Sequence, residues 1–179
     1  MSIATPSVDA LRDRLPDDLK DVRRNISSVL AGEHLSPAQS IGTALAAARF
    51  LRCPPLVEAL ERDAREGLGD AAPPLLSDAA AAAGLMAMNT VYYRFRHMVG
   101  KESYEARSPR LRMSRMIQPA TAKLDFELMS LACAALAGCE KCVQSHEASL
   151  LHAGASEDAC HDAVRIAAVM AAAACGLPQ

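Results

Sequence analysis

Alanine carries most of the apolar excess in this chain, and no other feature restricts its fold so strongly. Hydrophobic residues fill 51% of the 179 positions, yet the mean hydropathy is only +0.07. Alanine is the best helix former, so a chain that is apolar in this way favours helices over strands. No segment shows the sustained alternation of a strand. The expected fold class is all-α, a helical bundle. The length suits one domain, or two small repeats sharing a core, and is enough to bury an interior without disulfide staples.

Proline and glycine divide the chain. Val8 to Leu15 and Asp17 to Leu30 read as polar-faced helices separated by Pro16, wrapped on the main bundle. Ser36-Pro37-Ala38-Gln39 combines an N-cap serine, a proline at the first helical position and a capping-box glutamine, and starts a helix to about Arg52. Pro54-Pro55 breaks it and opens another, Pro55 to Glu66, which Gly67 and Gly69 end. Ser77 is placed to cap a long helix from Asp78 to about Met98, closed by Gly100. Lys101 to Pro119 holds charges, prolines and the basic run Arg107, Arg110, Arg112 and Arg115, an irregular connection with one helical turn that faces solvent or an interface. Helices over Thr121 to Ala137, Cys139 to Ala153 and Ser156 to Cys175 complete the pattern, with Gly138 as a hinge.

Sliding the halves by about 86 positions lays Leu45-Ala46-Ala47-Ala48-Arg49-Phe50-Leu51-Arg52-Cys53 against Leu131-Ala132-Cys133-Ala134-Ala135-Leu136-Ala137-Gly138-Cys139. Continuing the register sets Leu56 opposite Cys142 and Leu60 opposite His146. The chain is therefore expected to be one all-helical domain, 1–179, of two degenerate helical-hairpin repeats. Residues 36–100 form a scaffold copy and 120–179 a redox copy.

A net charge of −2 and a pI near 6.2 give no general reason to bind nucleic acid or an acidic membrane surface. The apolar segments Ala79 to Met88 and Ile166 to Cys175 are too short to span a bilayer. Asp9, Arg12, Asp13 and Arg14 interrupt any apolar leader at the start, so a cytoplasmic protein is expected. In that compartment six cysteines point to burial, catalysis or metal binding rather than a disulfide framework. Cys53, Cys133, Cys160 and Cys175 lie singly among apolar residues and read mostly as small core hydrophobes.

The chemistry concentrates in Gly138-Cys139-Glu140-Lys141-Cys142-Val143-Gln144-Ser145-His146. On a helix beginning after Gly138, Cys139, Cys142 and His146 share one stripe. A helix N-terminus favours a thiolate, and two sulfurs three residues apart can close a disulfide within one turn. His146, one turn beyond Cys142 and two beyond Cys139, is placed to take the proton of Cys142. Cys142 is then the attacking thiolate and Cys139, beside Gly138 and nearer solvent, the resolving thiol. The competing reading is zinc, but four ligands would require Cys133, His152, Cys160 or His161 to complete the site.

Glu127 shares a face with Leu124, Leu131, Ala134 and Ala135 and is expected to point inward. Burial would raise its pKa and suit it to pass a proton at neutral pH. The bland alternative is a salt bridge to an arginine of the 107–115 run.

Glu127-Leu128, Gly138-Cys139-x-x-Cys142, Ser145-His146-Glu147, Gly154-Ala155-Ser156 and Met88-Asn89-Thr90-Val91-Tyr92-Tyr93-Arg94-x-Arg96 together resemble the alkylhydroperoxidase D family over nearly the whole chain. The resemblance implies an all-helical homotrimer that reduces organic hydroperoxides. It implies no bound cofactor, with electrons from dihydrolipoamide carried on a dehydrogenase-complex subunit, and a peroxiredoxin as a further partner. It also implies Cys142 as the sulfenic acid, Cys139 as proton donor and resolving thiol, and Glu127 with His146 as the proton relay. One position departs from the pattern: Lys141 stands where close relatives often carry a histidine, whose role cannot be transferred. The rival reading is a redox adaptor that relays electrons to a peroxiredoxin without significant peroxidase activity of its own. Carboxymuconolactone decarboxylases share the helical fold, but the C-x-x-C pair and inward Glu127 argue against decarboxylation.

Overall fold

In the computed structural model, residues 3–178 are described, and among them there are helices and turns but no strands. Ten α-helices follow in order: α1 Pro6–Arg12, α2 Lys20–Ala31, α3 Pro37–Phe50, α4 Pro54–Leu68, α5 Ala72–Val99, α6 Glu102–Glu105, α7 Ser114–Ile117, α8 Lys123–Leu136, α9 Glu140–His152 and α10 Glu157–Cys175. Helices α3 and α8 pack on each other at the centre, with α5 and α10 each touching both. Helix α4 folds back on α3 and α9 on α8, while α1 and α2 cover α4 and α10.

The two central helices are buried on every side. Every residue from Ser40 to Ala48 in α3 and from Phe126 to Ala134 in α8 is buried. A helix that is apolar all round requires such a position, and small side chains let its neighbours approach closely. At Gly42 a Cβ would stand 2.7 Å from Met129 Cε and 2.8 Å from Leu75 Cδ1, so any larger residue would have to push aside the ends of both side chains where α5 and α8 close on α3.

The start of α3 follows from its sequence. Ser36 accepts from the Gln39 backbone N–H, and the Gln39 side chain accepts from the Ser36 N–H, closing a capping box behind Pro37. Helices α3 and α8 begin 86 residues apart, as do α4 and α9, and Gln39 Nε2 donates across the centre to Asp125 Oδ1 at 2.8 Å. Cys53 and Cys139 are both extended N-cap residues, and each follows a residue with positive φ, Arg52 (55°) and Gly138 (63°).

Four sequence expectations change. Helix α5 starts at Ala72 rather than Asp78, because Pro73 and Pro74 fit the first turn, where no N–H is needed. Its apolar run is therefore longer than Ala79 to Met88, and the helical stretch Pro54–Val99 includes a window long and apolar enough to cross a membrane, 44% of it buried in the fold. Ser77, which is inside the helix and no cap, faces the following connection together with Asp78. The connection itself makes two helical turns, α6 and α7, rather than one. Finally, Cys53, Cys133 and Cys160 are buried, but Cys175, at the end of α10, is exposed.

Asp78 fastens the connection to the bundle. Its fully buried carboxylate accepts from Arg115 Nε at 2.6 Å, from the Ala120 and Thr121 backbone N–H groups at 3.1 and 2.7 Å, and from Thr121 Oγ1 at 2.7 Å. Burial alone would raise its pKa, but the hydrogen bonds from Thr121, Ala120 and Arg115 outweigh it and hold it below the usual range. Asp78→Ala leaves these donors unmatched and is expected to cost about 2–3 kcal/mol in urea unfolding. It should also expose residues 106–122 to proteolysis; an unchanged midpoint would exclude the anchoring role.

Candidate active site

Helix α9 begins where the chain turns back from α8. Ala137 ends α8, Gly138 takes φ 63°, and extended Cys139 becomes the N-cap of α9. From α5, the Arg94 guanidinium donates to the Ala137 carbonyl at 2.6 Å and holds this turn. Cys142 then falls in the first turn of α9, where the helix dipole favours a negative charge. Cys139 and Cys142 are joined as a disulfide, with Cα atoms 5.3 Å apart.

The two sulfurs differ in access. Cys139 is fully buried against Ala134, Ala137, Tyr93 and Val143, whereas Cys142 opens onto a cavity of about 280 Å3. The expectation that Cys139 lies nearer solvent is therefore reversed: as the N-cap it is folded beneath the turn rather than displayed by it. Helix α5 contributes Asn89 and Tyr93 to the cavity, the α6–α8 connection Met113 and Met116, and α9 Lys141, Ser145 and His146 beside Cys142. The two depressions of about 600 and 630 Å3 contain neither cysteine nor histidine, and one of about 300 Å3 beside the cavity holds His97 but no cysteine.

Behind His146 lies Glu127, 4% exposed, reaching from α8. Its Oε2 is 2.6 Å from His146 Nδ1 and its Oε1 is 2.8 Å from Lys123 Nζ, one turn earlier on α8. Glu127 is thus inward, as expected, but its partner is Lys123 and not an arginine of the 107–115 run. Burial alone would raise its pKa; the hydrogen bonds from His146 and Lys123 and the charge of Lys123 outweigh it and hold it below the usual range. This corrects the expectation of a raised value. An ionised carboxylate can only accept, so His146 Nδ1 carries the proton in this bond. The lone pair of the neutral ring is then on Nε2.

All four residues singled out in the sequence meet here. Cys142 and His146 share the cavity, Cys139 lies under Cys142, and Glu127 holds the far side of His146. Sequence reasoning missed Lys123, although its place four residues before Glu127 is the spacing of a helical ion pair. It also gave no role to Asn89 or Tyr93, both within the Met88–Arg96 stretch that carried the resemblance. Lys123 further donates to the Met116 carbonyl, and Asn89 Nδ2 to Met116 Sδ at 3.5 Å, so Met116 is held at the cavity from two sides. Asn89 Oδ1 is buried with no partner among the described residues, a situation that typically costs about 1–3 kcal/mol. Lys141 is exposed at the cavity rim. Among the described residues no group of three or more His, Cys, Asp or Glu is placed to hold a metal ion.

Comparison with known proteins gives the same direction. Residues 109–175 match the carboxymuconolactone decarboxylase family model. A protein of Anaeromyxobacter dehalogenans (strain 2CP-C), named alkyl hydroperoxide reductase AhpD, is 51% identical over 171 residues, covering 96% of this chain and 90% of its own length. The chain belongs to the alkylhydroperoxidase D family. AhpD proteins of Anaeromyxobacter sp. (strain Fw109-5) and Rhodopseudomonas palustris (strain BisB18) are 53% and 44% identical over 171 and 164 residues. These cover 95% and 92% of this chain and 90% and 89% of the relatives. With a family established over this span, the all-helical architecture is that of the AhpD-like fold.

Because the folded Glu127 carboxyl lies below its unfolded value, its contribution to stability is complete above the ordinary glutamate range, near pH ~4.3. It is lost as the pH falls through the folded value. Glu127→Gln is therefore expected to be less stable than the wild type at pH 7 and to converge with it on acidification below about pH 4. Urea midpoints across that range check this; a pH-independent difference would mean that the charge contributes nothing.

Proposed function

We propose that this chain is an antioxidant dithiol peroxidase that reduces alkyl hydroperoxides through a thiolate, sulfenic acid and disulfide cycle. The observation that carries the reading is the juxtaposition of Cys142 and His146 on one cavity, with His146 Nδ1 on Glu127 and Cys139 bonded to Cys142. The relatives' name, alkyl hydroperoxide reductase, supports the peroxide-related role and the substrate class.

Glu127 fixes the His146 ring so that Nε2 accepts the Cys142 proton. The Cys142 thiolate attacks the terminal oxygen of the hydroperoxide, the O–O bond breaks, and the sulfur becomes a sulfenic acid. The alkoxide takes the proton back from His146 and leaves as the alcohol. Cys139 then displaces hydroxide from the sulfenic sulfur, giving the disulfide and water, which keeps Cys142 from irreversible over-oxidation. Two electrons from a dithiol restore the pair. The donor in this reading is dihydrolipoamide on a dehydrogenase-complex subunit, and a peroxiredoxin is a further partner.

Assembly as a homotrimer and a cytoplasmic setting belong to the same reading. The exposed apolar side chains Val91, Phe95 and Met98 on α5 and Ile117 on α7 are surface available for subunit contacts. Decarboxylation, which the family model's name raises, has no use for a bonded cysteine pair at the cavity.

Stopped-flow mixing of the reduced protein with cumene hydroperoxide tests the reading. Consumption without any partner protein is expected, with turnover sustained by dihydrolipoamide; turnover only when a peroxiredoxin is added would establish the relay role instead. Glu127→Gln is expected to fold and to lose about 100-fold or more in rate. A dimedone probe under peroxide should label Cys142 in Cys139→Ser. Label on Cys139 in Cys142→Ser, with none in the reciprocal variant, would exchange the two roles.

A further inference from the structure

The proposed cycle uses Cys139, Cys142, His146 and Glu127 and leaves one buried polar side chain at the cavity without a task. Asn89 is 4% exposed, lines the cavity with Cys142 and His146, and has an amide oxygen without a hydrogen-bond partner among the described residues. Its other polar atom is engaged, because Nδ2 donates to Met116 Sδ. A thioether can only accept, so this contact fixes the orientation of the amide and leaves the oxygen as the free atom. Buried polar side-chain atoms nearly always have a partner. The neighbouring positions on this face of α5, Met86 and Tyr93, are apolar or aromatic and serve packing.

We propose that Asn89 is the substrate-positioning residue of this site, its amide oxygen accepting the O–H of the hydroperoxide that Cys142 attacks. The assignment rests on the peroxidase reading and extends it. An alkyl hydroperoxide has a single O–H, on the terminal oxygen, which is also the atom transferred to sulfur. An acceptor for that proton selects the terminal oxygen over the inner one and turns the O–O bond toward the thiolate. The alkyl group then lies against Tyr93, Met113 and Met116, the apolar part of the cavity wall. Asn89 neither gives nor takes a proton: the O–H stays on the oxygen that becomes the sulfenic acid, and the alkoxide is protonated by His146. The Met116 contact holds the amide in one orientation; the oxygen is buried, so the entering hydroperoxide reaches it only as it seats against the wall that Asn89 lines.

The test uses the full-length reduced protein and the variant Asn89→Leu, with Asn89→Ala as a second variant should the first fail to fold. The second-order rate constant for cumene hydroperoxide is expected to fall about 10- to 100-fold. The pH profile of Cys142 alkylation by iodoacetamide and the rate of disulfide reduction by dihydrolipoamide should stay as in the wild type, since neither reagent offers an O–H to be held. The thermal midpoint should change little, because the variant removes an unpartnered acceptor together with the weak Nδ2 contact to Met116. An unchanged peroxide rate in an active wild-type background would overturn the assignment alone. An equal loss in the alkylation rate would also overturn it, by showing that Asn89 acts on the thiol. A reduced wild type that consumes no hydroperoxide would overturn the peroxidase reading, and this assignment with it.

Discussion

An ionised carboxylate set into a helix that is buried on all sides must be matched by donors, and much of the site's geometry follows from how Glu127 meets that demand. Two oxygens require two partners. Lys123, one turn back on the same helix, satisfies one and at the same time holds the Met116 carbonyl, which draws the α6–α8 connection over the cavity. His146 satisfies the other, and in doing so fixes the orientation of its ring and the register of α9 against α8. A local electrostatic requirement thus positions a loop, a helix and a base. The ion pairing also explains why the carboxylate stays charged: desolvation is the largest influence on it, yet the combined donors exceed it.

The N-terminal hairpin shows the same backbone without that requirement. At the positions 86 residues before Glu127, Cys142 and His146 stand Ile41, Leu56 and Leu60, all at most 1% exposed. Cys53 keeps the N-cap place that Cys139 holds, but with leucine at its partner's position it remains a lone buried thiol. An apolar trio fills the space by packing alone, and needs neither a lysine nor a histidine. What separates the hairpins is side-chain chemistry on matching helices; the turn is alike in both, down to the positive φ before the cap.

Much of this was legible in the residues. The capping box at Ser36 and the stops at Gly69, Gly100 and Gly138 are local signals, and local signals fixed the boundaries of α3, α8, α9 and α10 to within a few residues. The inward direction of Glu127 followed from helical spacing. The sign of its pKa did not, because desolvation can be read from a pattern whereas the distance to a lysine and a histidine cannot. Ser77 looked like the cap of a helix beginning at Asp78, and both are instead tertiary acceptors for Arg115 and Thr121, a distinction that depends on residues more than thirty positions away. The relative access of the two cysteines depended on how the N-cap folds under its own turn, and Cys175 on where α10 runs out of neighbours.

The burial of Cys139 has a consequence for the order of events on the proposed reading. Of the two bonded sulfurs only Cys142 opens onto the cavity, so an incoming reductant must form its mixed disulfide there, with Cys139 as the leaving group. The oxidant is reduced at the same atom, through the same opening of about 280 Å3. Oxidant and reductant therefore cannot occupy the protein together. Each must depart before the other enters, which gives a double-displacement rhythm with mutual exclusion at high concentrations of either.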